Sequence, residues 1–193
     1  MRIKIFVLLC LTAIMQFTGV TPLKASHYYY KQLSLKDGVT SAVRCILTDK
    51  QGFVWIGTKA GISRYDGHEL KKYVYSPNNP HSIPNNLIHQ IAEDEMSNIW
   101  ILTDKGIARY QRQSDDFFLP TDEKGNPIIA YSTCLTKDGV LFGSKDKVYF
   151  YSYRDSSLRL LQKLNKGNNF NISLLSLWNE HTVLCCSRWQ GLA

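Results

Sequence analysis

From residue 42 onward the chain alternates short apolar runs with brief polar interruptions. The runs Ala42 to Thr48, Phe53 to Thr58, Ile62 to Tyr65 and Leu70 to Tyr73 are broken by Asp49-Lys50-Gln51-Gly52, Lys59-Ala60-Gly61 and Asp66-Gly67. Glycine accepts the positive φ that tight turns demand, so Asp-Gly and x-Gly pairs between alternating runs predict hairpins. Four consecutive antiparallel strands follow from this pattern, and Gly57 falls inside one of them, where a missing side chain lets another strand approach closely.

The pattern then recurs. ILTDKQGFVWIGTKAGISRYD, beginning at Ile46, is echoed 45 residues later by IAEDEMSNIWILTDKGIARYQ, beginning at Ile91. Asp49 matches Asp94, Trp55 matches Trp100, Thr58 matches Thr103, Gly61 matches Gly106, and Arg64-Tyr65 matches Arg109-Tyr110. A third copy, CLTKDGVLFGSKDKVYFY, puts Cys134 in the place of Ile91 and Leu141 in the place of Trp100, with two residues lost from the first turn. A fourth starts at Leu174 and stops inside the motif.

Four strands per unit of 40 to 45 residues is the signature of a propeller blade. The predicted fold is therefore all-β, an incomplete β-propeller of about three and a half blades over residues 26–193. The blades are expected near 41–75, 86–119, 128–164 and 172–193. The Trp-Ile-Gly-Thr stretch is architecture under this reading, because a phosphate-cradling glycine loop would lead from a strand into a helix. Trp55 and Trp100 are expected in the core between blades, in preference to a carbohydrate-stacking platform. The Pro- and Asn-rich segment from Tyr75 to Asn86 reads as an exposed crossover between blades.

The first residues obey another pattern. Arg2 and Lys4 precede an apolar run from Ile5 to about Val20, and a small residue, Ala25, then stands before a polar segment. That order predicts a signal peptide over 1–25, the run being short for a membrane span. Its removal takes Arg2, Lys4 and Lys24 from the 23 basic residues and none of the 16 acids, so the net charge falls from +7 to +4. The remaining cations are scattered, without the charged stripe of a nucleic-acid groove. No direct nucleic-acid contact is expected. Cys45, Cys134, Cys185 and Cys186 fit buried free thiols, since they form no C-x-x-C pair and Cys45 and Cys134 lie in apolar strands.

Catalytic signatures are thin. His27, His68, His81, His89 and His181 show no ligand spacing, and no nucleophile elbow occurs. Asp115-Asp116 reads as a solvated corner, and Asp66 with His68 and Glu69 as a turn. The residues point to no catalytic, cofactor-binding or metal-binding position, and they place no ligand site.

Residues 33 to 110 resemble the N-terminal region of the periplasmic sensor of hybrid two-component regulators from polysaccharide-degrading bacteria. The resemblance rests on D-x-x-G-x-[IL]-W-[IL]-G-T-x-x-G-[IL]-x-R-[YF], repeated at 49–65 with Val54 at the first [IL] position. It departs from the pattern at Ser97-Asn98, Leu102, Leu141 and Leu184-Cys185-Cys186. It implies a periplasmic sensor with two tandem seven-bladed propellers, an immunoglobulin-like connector, one transmembrane helix and cytoplasmic histidine kinase, receiver and helix-turn-helix modules. It further implies an oligosaccharide ligand, a homodimer, no catalysis by this segment, and partners in the remaining propeller and connector. An exported protein-interaction scaffold and a propeller-based glycan lyase or hydrolase are the alternative readings of the residues themselves.

Overall fold

The computed structural model describes residues 32, 42–164, 171–179, 182–187 and 191–192. The chain divides into a unit spanning Met1–Gln32, of which Gln32 alone is described, and a unit spanning Leu33–Ala193, to which everything below belongs. The signal peptide expected over 1–25, and His27 and His181, lie outside the described residues.

The described residues form fifteen strands and no helix. Strands β1 (Val43–Thr48), β2 (Val54–Thr58), β3 (Gly61–Tyr65) and β4 (Leu70–Tyr73) pair in chain order as one antiparallel sheet. The second sheet is β5 (Ile88–Glu93), β6 (Ile99–Thr103), β7 (Gly106–Gln111) and β8 (Asp116–Phe118). The third is β9 (Ser132–Leu135), β10 (Gly139–Gly143), β11 (Lys147–Ser152) and β12 (Leu158–Lys163), and β13 (Ile172–Asn179), β14 (Thr182–Ser187) and β15 (Gly191–Leu192) form a three-stranded fourth. These are the blades of an incomplete propeller, and in the first blade the strand ends fall within a residue of those the sequence predicts.

Successive blades share their cores. Trp55 lies in a cluster with Ile91, Ile99, Ile101 and Tyr110 of the second blade. Trp100, Leu102 and Ile107 lie in the next cluster with Val140, Phe142 and Tyr151 of the third. Leu141 and Val148 lie with Ile172, Leu175 and Cys185 of the fourth. Because a strand sends alternate side chains to opposite faces, β6 buries Ile99 and Ile101 toward one neighbour and Trp100 and Leu102 toward the other. All five of its residues are buried, which is why it reads as a continuous apolar run. The matching face of the first blade is open: Ile46 is 64% exposed and Val43 46%, against 8% and 0% for Ile91 and Ile88.

The register corrects one expectation. Ile91 pairs with Ile101 and Ala92 with Trp100, while in the third blade Thr133 pairs with Phe142 and Cys134 with Leu141. Cys134 therefore stands in the place of Ala92, and Thr133 in that of Ile91. The difference of one residue reverses the face, since side-chain direction alternates along a strand. Cys134 accordingly packs toward the fourth blade.

Complementary volumes set the contact between neighbouring blades. A Cβ at Gly57 would lie 2.5 Å from Cys45 Sγ and 2.8 Å from Ile88 Cγ2, and one at Gly143 would lie 2.5 Å from Ser132 Oγ and 2.6 Å from Ile172 Cγ2. In both cases a glycine on one blade's second strand admits an isoleucine that begins the next blade. At the intervening boundary the glycine is replaced by Leu102, and Ala130 shares its buried cluster at the approach to β9. Large and small residues have exchanged sides, so the departure from glycine at Leu102 leaves the blade regular. Ala130→Ile in the full-length protein is expected to cost about 1–3 kcal/mol by overpacking. Leu102→Gly added to it should restore part of that stability in denaturant unfolding, whereas two independent sites would give additive losses.

Candidate inter-blade functional site

Each blade is a meander, so its β1–β2 and β3–β4 type turns lie at one end and its β2–β3 turn and outgoing crossover at the other. The crossover from Tyr75 to Asn86 is fastened to that second end: Gly61 N–H donates to the Asn86 carbonyl at 2.9 Å and Tyr75 N–H to Asn86 Oδ1 at 2.7 Å. Within it Ser82 Oγ donates to the Ser76 and Asn79 carbonyls, and Ile83 is fully buried. The polar groups that could meet a ligand gather at the opposite end.

The first of them is an acid under Trp55 and another under Trp100. Asp49 Oδ2 accepts from Trp55 Nε1 at 2.9 Å, and its Oδ1 accepts from the Gln51 and Phe53 amides. Asp94 repeats this with Trp100 Nε1 at 2.8 Å and the Asn98 amide at 2.8 Å. In the third blade both partners change together. Thr136 stands where the acid would be, exchanging hydrogen bonds with Gly139, and Leu141 replaces the indole. Burial opposes ionisation of Asp49, but the bonds from Trp55 and Arg112 outweigh it and hold the carboxyl below its usual range. Arg112 comes from the β7–β8 turn of the second blade and donates to Asp49 Oδ2 at 3.0 Å and to Gln51 Oε1 at 2.8 Å. One guanidinium thereby ties two blades.

The second group is centred on Asp115, which the sequence reading treats as a solvated corner. Its φ is 56°, a conformation that aspartate tolerates better than most residues. Tyr73 Oη donates to its Oδ1 at 2.6 Å, Arg64 approaches to 3.2 Å, and Tyr110 and Lys71 also donate to it. Three of these donors belong to the first blade and Tyr110 to the second. Burial works against the charge, yet the Lys71, Tyr110 and Tyr73 bonds prevail and hold Asp115 at about 2. Burial first, and the Asp115 bond second, push both phenols up, so Tyr73 and Tyr110 remain donors. Asp116, by contrast, accepts locally from Gln111 Nε2.

Arg109 repeats the position of Arg64, one blade later. It donates to Tyr151 Oη at 2.7 Å, and its guanidinium lies 5.0 Å from the Phe118 ring centroid and 5.9 Å from that of Trp100. It lines a cleft of about 580 Å³ with Gln51, Asn98 and Arg112, and a second of about 230 Å³ with Asn98, Tyr151 and Ser156. Sequence reasoning found Arg64 and Arg109 as repeat markers but missed their role as bridges to the next blade's tyrosine. The 45-residue spacing of Arg-Tyr held that signal.

The other residues singled out by the sequence join neither group, His81 lying 3.7 Å from Asp116. Asp66 Oδ1 accepts from the His68 and Glu69 amides, closing a turn. His89 meets Asp104 at 3.2 Å, on another blade end. Burial pushes the Cys45, Cys134 and Cys185 thiols up, and among the described residues no group of side chains is arranged to hold a metal ion.

With this geometry in hand, the comparisons with known proteins converge. Residues 37–60 match the family model for the two-component regulator propeller. The match covers 24 residues, at the first blade. It is 37% identical over 59 residues to histidine kinase P4 of Formosa agariphila, an alignment covering 30% of this chain and 4% of the kinase. Its blades superpose with a TM-score of 0.73 on the extracellular domain assigned to a hybrid two-component system of B. thetaiotaomicron, at 17% identity, over 84% of this chain and 24% of that one. A second extracellular domain from B. thetaiotaomicron, assigned to a one-component system, gives 0.66 at 19% identity over 83% of this chain and 25% of that one. The chain thus spans about a quarter of the solved chains it resembles and a small part of the kinase.

The Asp115 network sets a pH dependence. Its folded pKa lies below the unfolded value, so its contribution is complete above about 4 and is lost as pH falls toward about 2. Asp115→Asn keeps the shape and the left-handed backbone but removes the charge. In the full-length protein it should lower stability by about 1 kcal/mol at neutral pH and flatten the loss between about pH 4 and 2, measured by denaturant unfolding. An unchanged acid limb would show that the charge contributes nothing there.

Proposed function

We propose that this segment is the ligand-sensing propeller of an exported sensor that detects glycan breakdown products and drives a histidine-kinase phosphorelay controlling transcription. The observation that carries the reading is the regulator propeller repeat at 37–60, joined to sequence relation with a histidine kinase. The fold adds support, since two of the solved domains that share it, at TM-scores of 0.73 and 0.66, are extracellular parts of regulatory systems.

In this reading the propeller lies in the periplasm as part of an inner-membrane homodimer, and the segment itself catalyses nothing. The fused blades suit such a task. Cores shared across boundaries, with Arg64 and Arg109 reaching the next blade, transmit a push at one blade to its neighbours. A ligand that binds one arrangement of the blades better than another shifts the balance between them, and its differential affinity bounds the shift.

The test uses the full-length protein reconstituted in lipid vesicles, with phosphate incorporation followed while defined oligosaccharides from plant, algal and host glycans are added in turn. One oligosaccharide class is expected to change the phosphorylation rate at least tenfold. Equal rates across the whole panel, or breakdown of a glycan by the exported region, would contradict the proposal.

A further inference from the structure

The boundary between the first two blades holds a carboxylate, and the next boundary keeps the surrounding positions without it. Arg64 and Arg109 pair with Trp55 and Trp100 at the same register, and Tyr110 and Tyr151 pair with Ile99 and Val140. The left-handed turn position occupied by Asp115, at φ 56°, is occupied in the third blade by Ser156, at φ 53°. Where Lys71 pairs with Arg64, Phe118 pairs with Arg109. Two members of the first niche, the arginine and the tyrosine, are retained, and the acid is gone.

Arg109 is left with a neutral acceptor, the Tyr151 hydroxyl. Among the described residues no carboxylate pairs with it. Its guanidinium is held between the rings of Phe118, Trp100 and Tyr151, at 5.0, 5.9 and 5.7 Å from their centroids, which fixes the fork and removes water from its faces. The edge opens into the cleft of about 230 Å³ beside Asn98, Tyr153 and Ser156. Met96, 66% exposed, Asn98 and Arg109 itself line both this cleft and the larger one. A rigid, partly desolvated arginine facing open space is built to receive a planar anion by two parallel hydrogen bonds.

We propose that this cleft binds the carboxylate of an acidic sugar, with the ligand's carboxylate at Arg109 standing where Asp115 stands one boundary earlier. Asn98, Ser156 and the amides of Gln111 and Gln113 on the adjoining rim supply partners for sugar hydroxyls, and the Met96 side chain offers an apolar surface to a ring face. The assignment of the anion to a sugar rests on the proposed glycan-sensing function; the assignment of a carboxylate rests on the niche.

The test is titration calorimetry of the full-length protein with glucuronate, glucose and acetate. Glucuronate is expected to bind in the millimolar range or tighter, with glucose and acetate at least about tenfold weaker. Arg109→Gln should weaken glucuronate at least tenfold, and Arg109→Lys by less, because a point charge keeps the attraction without the fork. Since Arg109 also bonds across the boundary, a second variant separates binding from folding. Ser156→Asp restores an internal carboxylate at a backbone position that tolerates aspartate, and it should abolish glucuronate binding while the melting temperature holds or rises. Glucuronate bound equally by the wild type and Ser156→Asp, no binding by the wild type up to ~10 mM, or acetate bound as tightly as glucuronate would each overturn the assignment. A phosphorylation response to acidic glycans that survives in Ser156→Asp would overturn it while sparing the sensor reading. Absence of any glycan response in the wild type would instead remove the sensor reading, leaving the glucuronate titration to decide the site.

Discussion

A buried carboxylate hydrogen-bonded to a buried indole, repeated one blade apart, is the constraint around which this propeller is organised. Trp55 and Trp100 are fully buried and fill the boundary ahead of their own blade, so each indole N–H must find an acceptor inside the protein. Asp49 and Asp94 provide it from the turn that leads into the same strand, and their remaining lone pairs cap that turn's amides. One side chain thus fixes the turn, the strand entry and the tryptophan's orientation. The third blade shows the interdependence: with Leu141 in place of the indole, Thr136 replaces the acid, and neither a buried carboxylate nor a buried N–H is left without its counterpart.

Around this motif the blades are fused by complementary shape and charge. Glycine meets isoleucine at two boundaries, and at the boundary between them the bulk has moved to Leu102 with Ala130 nearby. Arg64 and Arg109 extend the same principle to polar groups, each lying over its own blade's tryptophan while donating to the next blade's tyrosine. The first boundary saturates its arginine with Asp115. The second leaves Arg109 facing solvent across a cleft, so the repeat that builds the scaffold also leaves an arginine without the carboxylate that its counterpart has. A binding site made by withholding one residue from a repeated network requires no new fold.

Much of the fold was legible because strand period and turn residues agree locally: Gly52, Gly61 and Gly67 all adopt positive φ at the predicted hairpins. The third repeat was placed one residue out at its first strand. Short apolar stretches such as Ser132–Leu135 carry too little alternation to fix a register, and pairing with β10 decides it. The site was much less legible. Asp115 sits in a polar stretch with every local mark of a solvated turn, and its donors Arg64, Lys71 and Tyr73 lie 42 to 51 residues away in sequence. Only the approach of two blades brings them together. Arg109 was visible as a repeat marker, but what distinguishes it from Arg64 is the loss of a carboxylate on a different strand connection.

The most direct measurement is a double-mutant cycle on Asp94 and Trp100, using Asp94→Thr, Trp100→Leu and the combination that reproduces the third blade's pair. Hydrogen exchange of the β6 amides in the full-length protein reports the local opening free energy. If the acid and the indole form one unit, Asp94→Thr strands a buried N–H and Trp100→Leu removes the carboxylate's buried donor. The double variant should then cost about 1–2 kcal/mol less than the sum of the singles. Additivity within about 0.5 kcal/mol would show that the two residues act independently and would contradict the account.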